Sequence, residues 1–288
     1  MSIRNLKSLA RRTVSADVRA MLRKAARRVV AGTSGRRLTE DEFRDLLRRL
    51  RLTPGRTALV HCSFGRLRPE FSPAIAVSLL KEAVGDHGTL LMPCYPGNAD
   101  EWIQSGGVFD ATDGPFATGA LAAAFARSPG VKMSTHPVKA LAAWGQDAEF
   151  LTATHQLSRT PFDRHSPYAK MLEINDSIAV GLGTRKMSFF HCCEDAVPAY
   201  AQKLYTAEPV LGHCRTSEGD MVKMATHIHR AEVLGGMESS YAFLTRTACP
   251  DYHAFEYRGR HFYVADTQEV YVHVTGVIRQ KSLAAGAL

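Results

Sequence analysis

The run TALVHCSFGRLRPEFSPAIAVSLLKEAVGDHGTLLMP, residues 57–93, decides the fold. Thr57–Val60 is apolar and reads as a buried strand ending in His61-Cys62-Ser63. Ser72–Ala83 reads as a helix, and the Gly85-Asp-His-Gly88 turn leads to a second buried strand, Thr89–Pro93. Just upstream, Thr39-Glu-Asp-Glu42 is a capping box. It precedes Phe43, Leu46, Leu47 and Leu50, which fall at i, i+3, i+4 and i+7. That helix stops at Thr53-Pro-Gly55. Helix, strand, helix, strand at this spacing predicts α/β layers.

Outward from this unit, residues 95–117 are rich in Gly, Asp and Pro and contain Trp102, which predicts a long loop over a site. Thr118–Arg127 reads as a helix, Ala140–Gly145 as a strand edge, and Ile178–Gly181 as another buried strand. Beyond about residue 205 the pattern alternates. Glu256–Val264 and Val270–Val277 read as strands, the latter with Val270, Val272 and Val274 on one face.

With 288 residues and 45% hydrophobic content, the chain can bury a large core. Its six cysteines show no C-x-x-C pair, so reduced thiols and a cytoplasmic location are expected. No apolar run of membrane-spanning length and no secretory h-region is present. The net charge of +8 is uneven. Residues 1–36 hold ten Lys/Arg against Asp17, whereas the remainder has 26 bases and 27 acids. The basic character therefore belongs to an extension, and the body offers no electrostatic case for nucleic acid. Within that extension, residues 14–30 place Val14, Val18, Met21, Leu22, Ala25 and Val29 at helical spacing. Such a basic amphipathic helix suits docking on its own body or on a sister subunit in a homodimer, peripheral contact with an anionic membrane, or a loose solvated arm. Gly32-Thr-Ser-Gly35 reads as the linker to the body, residues 37–288.

The chemistry concentrates in Gly181-Leu-Gly-Thr-Arg-Lys-Met-Ser-Phe-Phe-His191-Cys-Cys-Glu194. If Ser188 or Phe189 opens a helix, His191 and Glu194 share a face and can touch. An imidazole oriented by a carboxylate is a ready general base near neutral pH.

An ordered series of segments runs through the chain: Val60-His61-Cys62-Ser63-Phe64, Glu82-Ala-Val-Gly85, Gly88-Thr-Leu-Leu-Met-Pro93, Phe109-Asp110 and Thr118-Gly-Ala-Leu121. Ser134-Thr-His136-Pro137, Ala142-Ala-Trp144-Gly145, Ser166-Pro167-Tyr-Ala-Lys170 and the Gly181–Glu194 element complete the series. Together these segments resemble the aminoglycoside 3-N-acetyltransferase (antibiotic N-acetyltransferase) family. The likeness spans roughly residues 38–200, and its strength lies in the order of the pieces. It implies a three-layer α/β/α fold with a mixed sheet and direct acyl transfer from acetyl-CoA, a co-substrate, to a small-molecule amine, with no metal. It further implies that His191 is the general base, that Glu194 orients it, and that Ser63, Phe64, Thr118 and Ser134 lie on the CoA side. Departures from the pattern are Cys62 for a Ser, Met133 for an Arg, Ala140 for a Ser, and Met187-Ser188 for Asn-Thr.

Three rival readings stay open on the residues. His191, Cys192, Cys193, His213, Cys214, His227 and His229 are metal-ligand types, though without zinc-site spacing. Cys62 or Cys193 is a nucleophile type. The chain is also readable as a non-catalytic binding module on the same fold. For the acceptor, an amino sugar or similar small amine is expected, aminoglycoside-like or nucleotide-linked as in surface polysaccharide synthesis. A polycationic drug needs carboxylates, for which Asp100, Glu101, Asp110, Asp113, Glu194 and Asp195 are the local supply.

Overall fold

The computed structural model describes residues 36–95, 103, 104, 106–112, 114, 116–234 and 237–284. The predicted basic helix 14–30 and its linker lie outside these, as do Asp100, Glu101, Trp102 and Asp113. Met1–Arg37 is a separate unit from Leu38–Leu288. In the larger unit, helix α1 (Glu40–Arg49) opens on the expected capping box. The Thr39 hydroxyl accepts from the Glu42 amide (3.3 Å) and the Glu42 carboxylate accepts from the Thr39 amide (3.1 Å). This satisfies two orphan amides and is worth about 1 kcal/mol. Phe43, Leu46 and Leu47 are its buried face.

Strand β1 (Thr57–Cys62) follows, then the short α2 (Phe64–Leu67) and α3 (Pro73–Val84), capped by the Ser72 hydroxyl with proline at the first position. Strand β2 (Thr89–Pro93) pairs parallel with β1. Next come β3 (Val108–Asp110), α4 (Ala120–Ala126), β4 (Lys132–Met133) and β5 (Leu141–Gly145). The short helices α5 (Ala148–Thr152) and α6 (Pro167–Lys170) lead to β6 (Ile178–Leu182) and α7 (Phe189–Asp195). Helix α8 (Pro198–Leu204) is followed by β7 (Val210–Arg215), β8 (Met221–Thr226), α9 (Ala231–Leu234) and α10 (Ser240–Arg246). Strands β9 (Tyr252–Tyr257) and β10 (Arg260–Asp266) and helix α11 (Thr267–Ala284) end the described chain.

The main sheet runs β4-β5-β2-β1-β6-β10-β9. Its centre, β2-β1-β6, is parallel, and the flanking pairs are antiparallel. Side chains alternate across it. Ala58 and Val60 of β1 join a core with α1, α3 and α4, whereas Leu59 joins a second core with α7 and α11. Helices therefore cover both faces, giving the expected three layers. A small sheet, β3-β7-β8, stands apart from the main one.

Two elements of the C-terminal third correct the sequence reading. The run 256–264 is not one strand but the hairpin β9–β10, broken at Arg258 (φ 50°) and Gly259 (φ 70°). Two consecutive positive φ values make the two-residue turn that fits strand twist. The run 270–277 lies in a helix, not a strand. Val270, Val274 and Ile278 are buried at i, i+4 and i+8, and Val272 is 67% exposed on the other side. The Asp266 carboxylate accepts from the amides of Gln268 and Glu269, so a cap starts the helix despite its β-branched residues. Within the loop predicted for 95–117, β3 pairs with β7.

Candidate active site

A cleft of about 800 Å³ opens beyond the carboxyl ends of β1, β2 and β6. This is where parallel α/β sheets hold ligands, because strands on either side of the central one lead away in opposite directions. The walls come from His61 and Cys62 after β1, Pro93 and Tyr95 after β2, and residues 184–188 after β6. Phe162, Lys139, Thr118 and His191 complete the lining used below.

His191 and Glu194 are brought together on α7. His191 Nδ1 lies 2.7 Å from Glu194 Oε2. The carboxylate side chain is only 3% exposed, while the imidazole is 28% exposed and faces the cleft. A buried carboxylate at this distance fixes the proton on Nδ1, which leaves the Nε2 lone pair for another partner. Phe162 and His229 pack on the ring, with centroids at 5.2 and 5.1 Å.

A second imidazole in the cleft behaves differently. His61 Nε2 accepts from the Ser188 amide (2.9 Å) and meets the Ser188 hydroxyl (2.7 Å). The Nδ1–H then points to the Tyr263 hydroxyl (3.3 Å), which donates to the Lys186 carbonyl. Burial, and then the charges of Lys186 and His191, hold the His61 pKa down to about 3. The ring is neutral, and it pins the loop between β6 and α7 to the end of β1. Gly181 makes this possible, since a Cβ there would sit 2.0 Å from the Tyr263 ring.

The expected CoA-side residues are spread out. Thr118 lines the cleft, and its hydroxyl is buried without a partner. Ser63 and Phe64 sit at the start of α2, outside the cleft lining, with Phe64 packed against the first core. Ser134 is a correction. It is fully buried, its hydroxyl takes the Leu141 amide (2.8 Å) and meets His155 Nδ1 (2.8 Å), and so it ties strands together instead of meeting a ligand. His155 Nε2–H donates to the Pro161 carbonyl, which settles its neutral tautomer. His136 accepts from the amides of Val138 and Lys139 and stacks on His155 at 4.4 Å. Both are structural.

The rival chemistries lose ground on the same geometry. Burial pushes the Cys62 and Cys193 thiols well up, away from thiolate chemistry. Among the described residues, no group of three or more His, Cys, Asp or Glu side chains is arranged to hold a metal ion. Sequence reasoning missed Tyr263, Phe162 and the cations Lys139, Arg185 and Lys186, and it named His229 only as a metal-ligand type, not as a ring packed on His191. Only Gly181 inside a buried strand signalled a close approach of this kind. Among the described residues, no helix is long and apolar enough to cross a membrane.

A mixed sheet between helical layers, with an acid-braced imidazole in the cleft at the strand ends, defines an α/β protein built around a His–Glu pair. A family model for aminoglycoside 3-N-acetyltransferases matches residues 59–275. The chain belongs to this family. An aminoglycoside N(3)-acetyltransferase IV from Salmonella sp is 35% identical over 149 residues, covering 50% of this chain and 54% of that relative. The chain thus spans about half the length of the curated relative it matches. The apoenzyme structure of the aminoglycoside acetyltransferase AAC(3)-IVa superposes with a TM-score of 0.65 at 26% identity, covering 86% of this chain and 91% of that one. AAC-IIIb, solved as a binary complex with CoASH, gives a TM-score of 0.68 at 20% identity over 84% of this chain and 97% of that one.

Proposed function

We propose that the chain is an acetyl-CoA-dependent N-acetyltransferase that acts on an amine of an amino sugar or aminoglycoside-like acceptor, with His191 as general base. The observation that carries this is the 2.7 Å contact of His191 Nδ1 with the buried Glu194, which leaves Nε2 toward the cleft.

The cleft fits acetyl-CoA on its own terms. The Thr118 hydroxyl is a buried polar atom without a partner in the wall, suited to a polar group of the pantetheine arm. Lys139, Arg185 and Lys186 line the same space and suit phosphates. Bound acetyl-CoA would supply an activated thioester carbonyl. The protein's part is proton handling. An alkylammonium sits near pKa 10, so little free amine exists at neutral pH. His191 Nε2 takes the proton from the acceptor nitrogen as that nitrogen becomes nucleophilic. Glu194 holds the Nδ1–H tautomer and stabilises the imidazolium that results. Phe162 packs on the ring and keeps it in place.

A nucleotide-linked amino sugar is the second reading, favoured by the same three cations. Release of CoA thiol, read with a thiol-detecting dye, tests both with kanamycin-type aminoglycosides, free amino sugars and nucleotide amino sugars. At least one class should turn over, and acetyl-CoA should raise the melting temperature. No thiol release with any amine, together with no shift at millimolar acetyl-CoA, would leave a binding module and remove the enzyme reading. Homodimer formation and peripheral membrane contact through residues 1–36 are separate proposals, answered by oligomer mass and vesicle sedimentation of the full chain.

A further inference from the structure

A second recess, of about 220 Å³, opens next to the cleft on the β9–β10 hairpin, and the proposed reaction does not use it. Arg185 lines both spaces. Along β9, Tyr252, Ala254 and Glu256 point to one face. Ala254 pairs with Tyr263 of β10 and Glu256 with His261, so these five side chains share a surface. Ala254 is the small member and leaves a gap between larger neighbours. Tyr241, at the start of α10, closes one side, edge-on to Tyr252 with ring centroids at 6.5 Å. The Arg185 guanidinium lies over the Tyr241 ring, 4.4 Å from its centroid. Glu256 Oε1 is 2.8 Å from His261 Nδ1 and 3.5 Å from Arg185.

We propose that this recess takes the nucleobase of a nucleotide-linked acceptor, with Arg185 and Lys186 at the phosphates. This rests on the reading of the chain as an N-acetyltransferase, and it chooses between the two acceptor classes. A space of about 220 Å³ falls below the roughly 300 Å³ that a whole drug-sized ligand takes, and suits a single ring system. Tyrosine rings and a stacked guanidinium offer planar faces, on which any nucleobase stacks. Glu256 Oε2 is left to accept an N–H, and every nucleobase carries one on its edge. Arg185 stands where recess and cleft meet, with Lys186 beside it in the cleft wall. That is the place of a diphosphate joining a base in one space to an amino sugar in the other. An aliphatic chain would strip water from Glu256 and Arg185 and return no hydrogen bond. The side of the sheet agrees. Tyr252 and Tyr263 pack in the second core with Phe189 and Phe190 of α7, the helix that carries His191. Thr118 stands before α4, whose Leu121 and Phe125 lie in the first core on the opposite face. The recess is therefore on the side of the general base, away from the Thr118 wall that suits pantetheine.

Calorimetric titration of the full chain with ADP, CDP, GDP, UDP and inorganic pyrophosphate, with and without millimolar acetyl-CoA, tests the site. At least one nucleoside diphosphate should bind at least about tenfold more tightly than pyrophosphate, and acetyl-CoA should leave that preference in place. Ala254→Phe, which fills the gap from a strand position, should abolish it. Tyr241→Leu, which removes a stacking face, should reduce it and stands in if Ala254→Phe does not fold. No nucleoside diphosphate better than pyrophosphate, or a preference that survives in every folded variant, would overturn the site. A preference erased by acetyl-CoA would give the recess to the nucleotide end of CoA and overturn it as well. Thiol release from acetyl-CoA is read in parallel. Turnover of aminoglycosides without the nucleotide preference sinks the recess and keeps the enzyme. A nucleotide preference without thiol release on any amine keeps a nucleotide site and sinks the enzyme reading, and with it the acceptor role.

Discussion

Two imidazoles face the same cleft, and their hydrogen bonds separate their roles. His61 spends both nitrogens on the protein: Nε2 on Ser188 and Nδ1–H on Tyr263. His191 spends only Nδ1, on Glu194. The first is a neutral strut, held far below its ordinary pKa by burial. The second keeps a carboxylate beside it and a nitrogen in reserve. A site imidazole is thus recognised by what it leaves unsatisfied, and proximity to the cleft alone would have ranked the two together.

The largest expected effect comes from the struts. Burial holds His61 and His155 down to about 3 and His229 to about 2, and takes His136 well below its ordinary value. A histidine whose folded pKa is lowered refuses a proton that the unfolded chain accepts, so stability is lost as pH falls through the unfolded value of about 6.5. Asp195, raised to about 6, works the other way and holds one proton only when folded. At pH 5 these groups leave the unfolded chain with four minus one, or about three, extra protons. Stability should then fall by about 4 kcal/mol per pH unit there. Urea midpoints between pH 7 and pH 5 check this, and a flat profile would put these rings in contact with water. His61→Gln should flatten the slope by one proton.

The next effect in size sits on the other imidazole. His191→Ala should lower kcat by at least about 10², close to 3 kcal/mol of transition-state stabilisation, with acetyl-CoA affinity nearly unchanged. Glu194→Gln should cost less, because an amide can still hold the ring. Single-turnover rates and acetyl-CoA titrations decide it. A smaller loss for His191→Ala than for His61→Gln would reverse the assignment of base and strut.

Sequence patterns showed the partner of one of these imidazoles and not those of the other. His191 and Glu194 are three residues apart, so one helical turn makes them neighbours, and the Gly181–Gly183 strand end announces that turn. The partners of His61 are Ser188 and Tyr263, at separations of 127 and 202 residues, which no local spacing reveals. The same limit explains Ser134, whose motif placed it at a ligand until His155 and Leu141 claimed its hydroxyl. The central strands were legible because each is an apolar run closed by turn residues, and α1 because its capping box is local. Helix α11 was not, since Val270, Val272 and Val274 mimic a strand, whereas the Asp266 carboxylate caps the amides of Gln268 and Glu269 and starts a helix.

The smallest effect probes the strut directly. Ser188→Ala removes a hydroxyl 2.7 Å from His61 Nε2 but leaves the Ser188 amide, 2.9 Å away, as donor to the same nitrogen. A neutral acceptor that keeps one good donor loses little, so the cost should be at most about 1 kcal/mol. Turnover should fall less than about threefold, because the backbone bond still anchors the start of α7 and with it His191. Paired measurement of urea midpoint and kcat on this one variant reads both quantities. A rate loss approaching that of His191→Ala, at unchanged stability, would mean that the Ser188 hydroxyl and His61 take part in proton movement, and the division between strut and base would then fail.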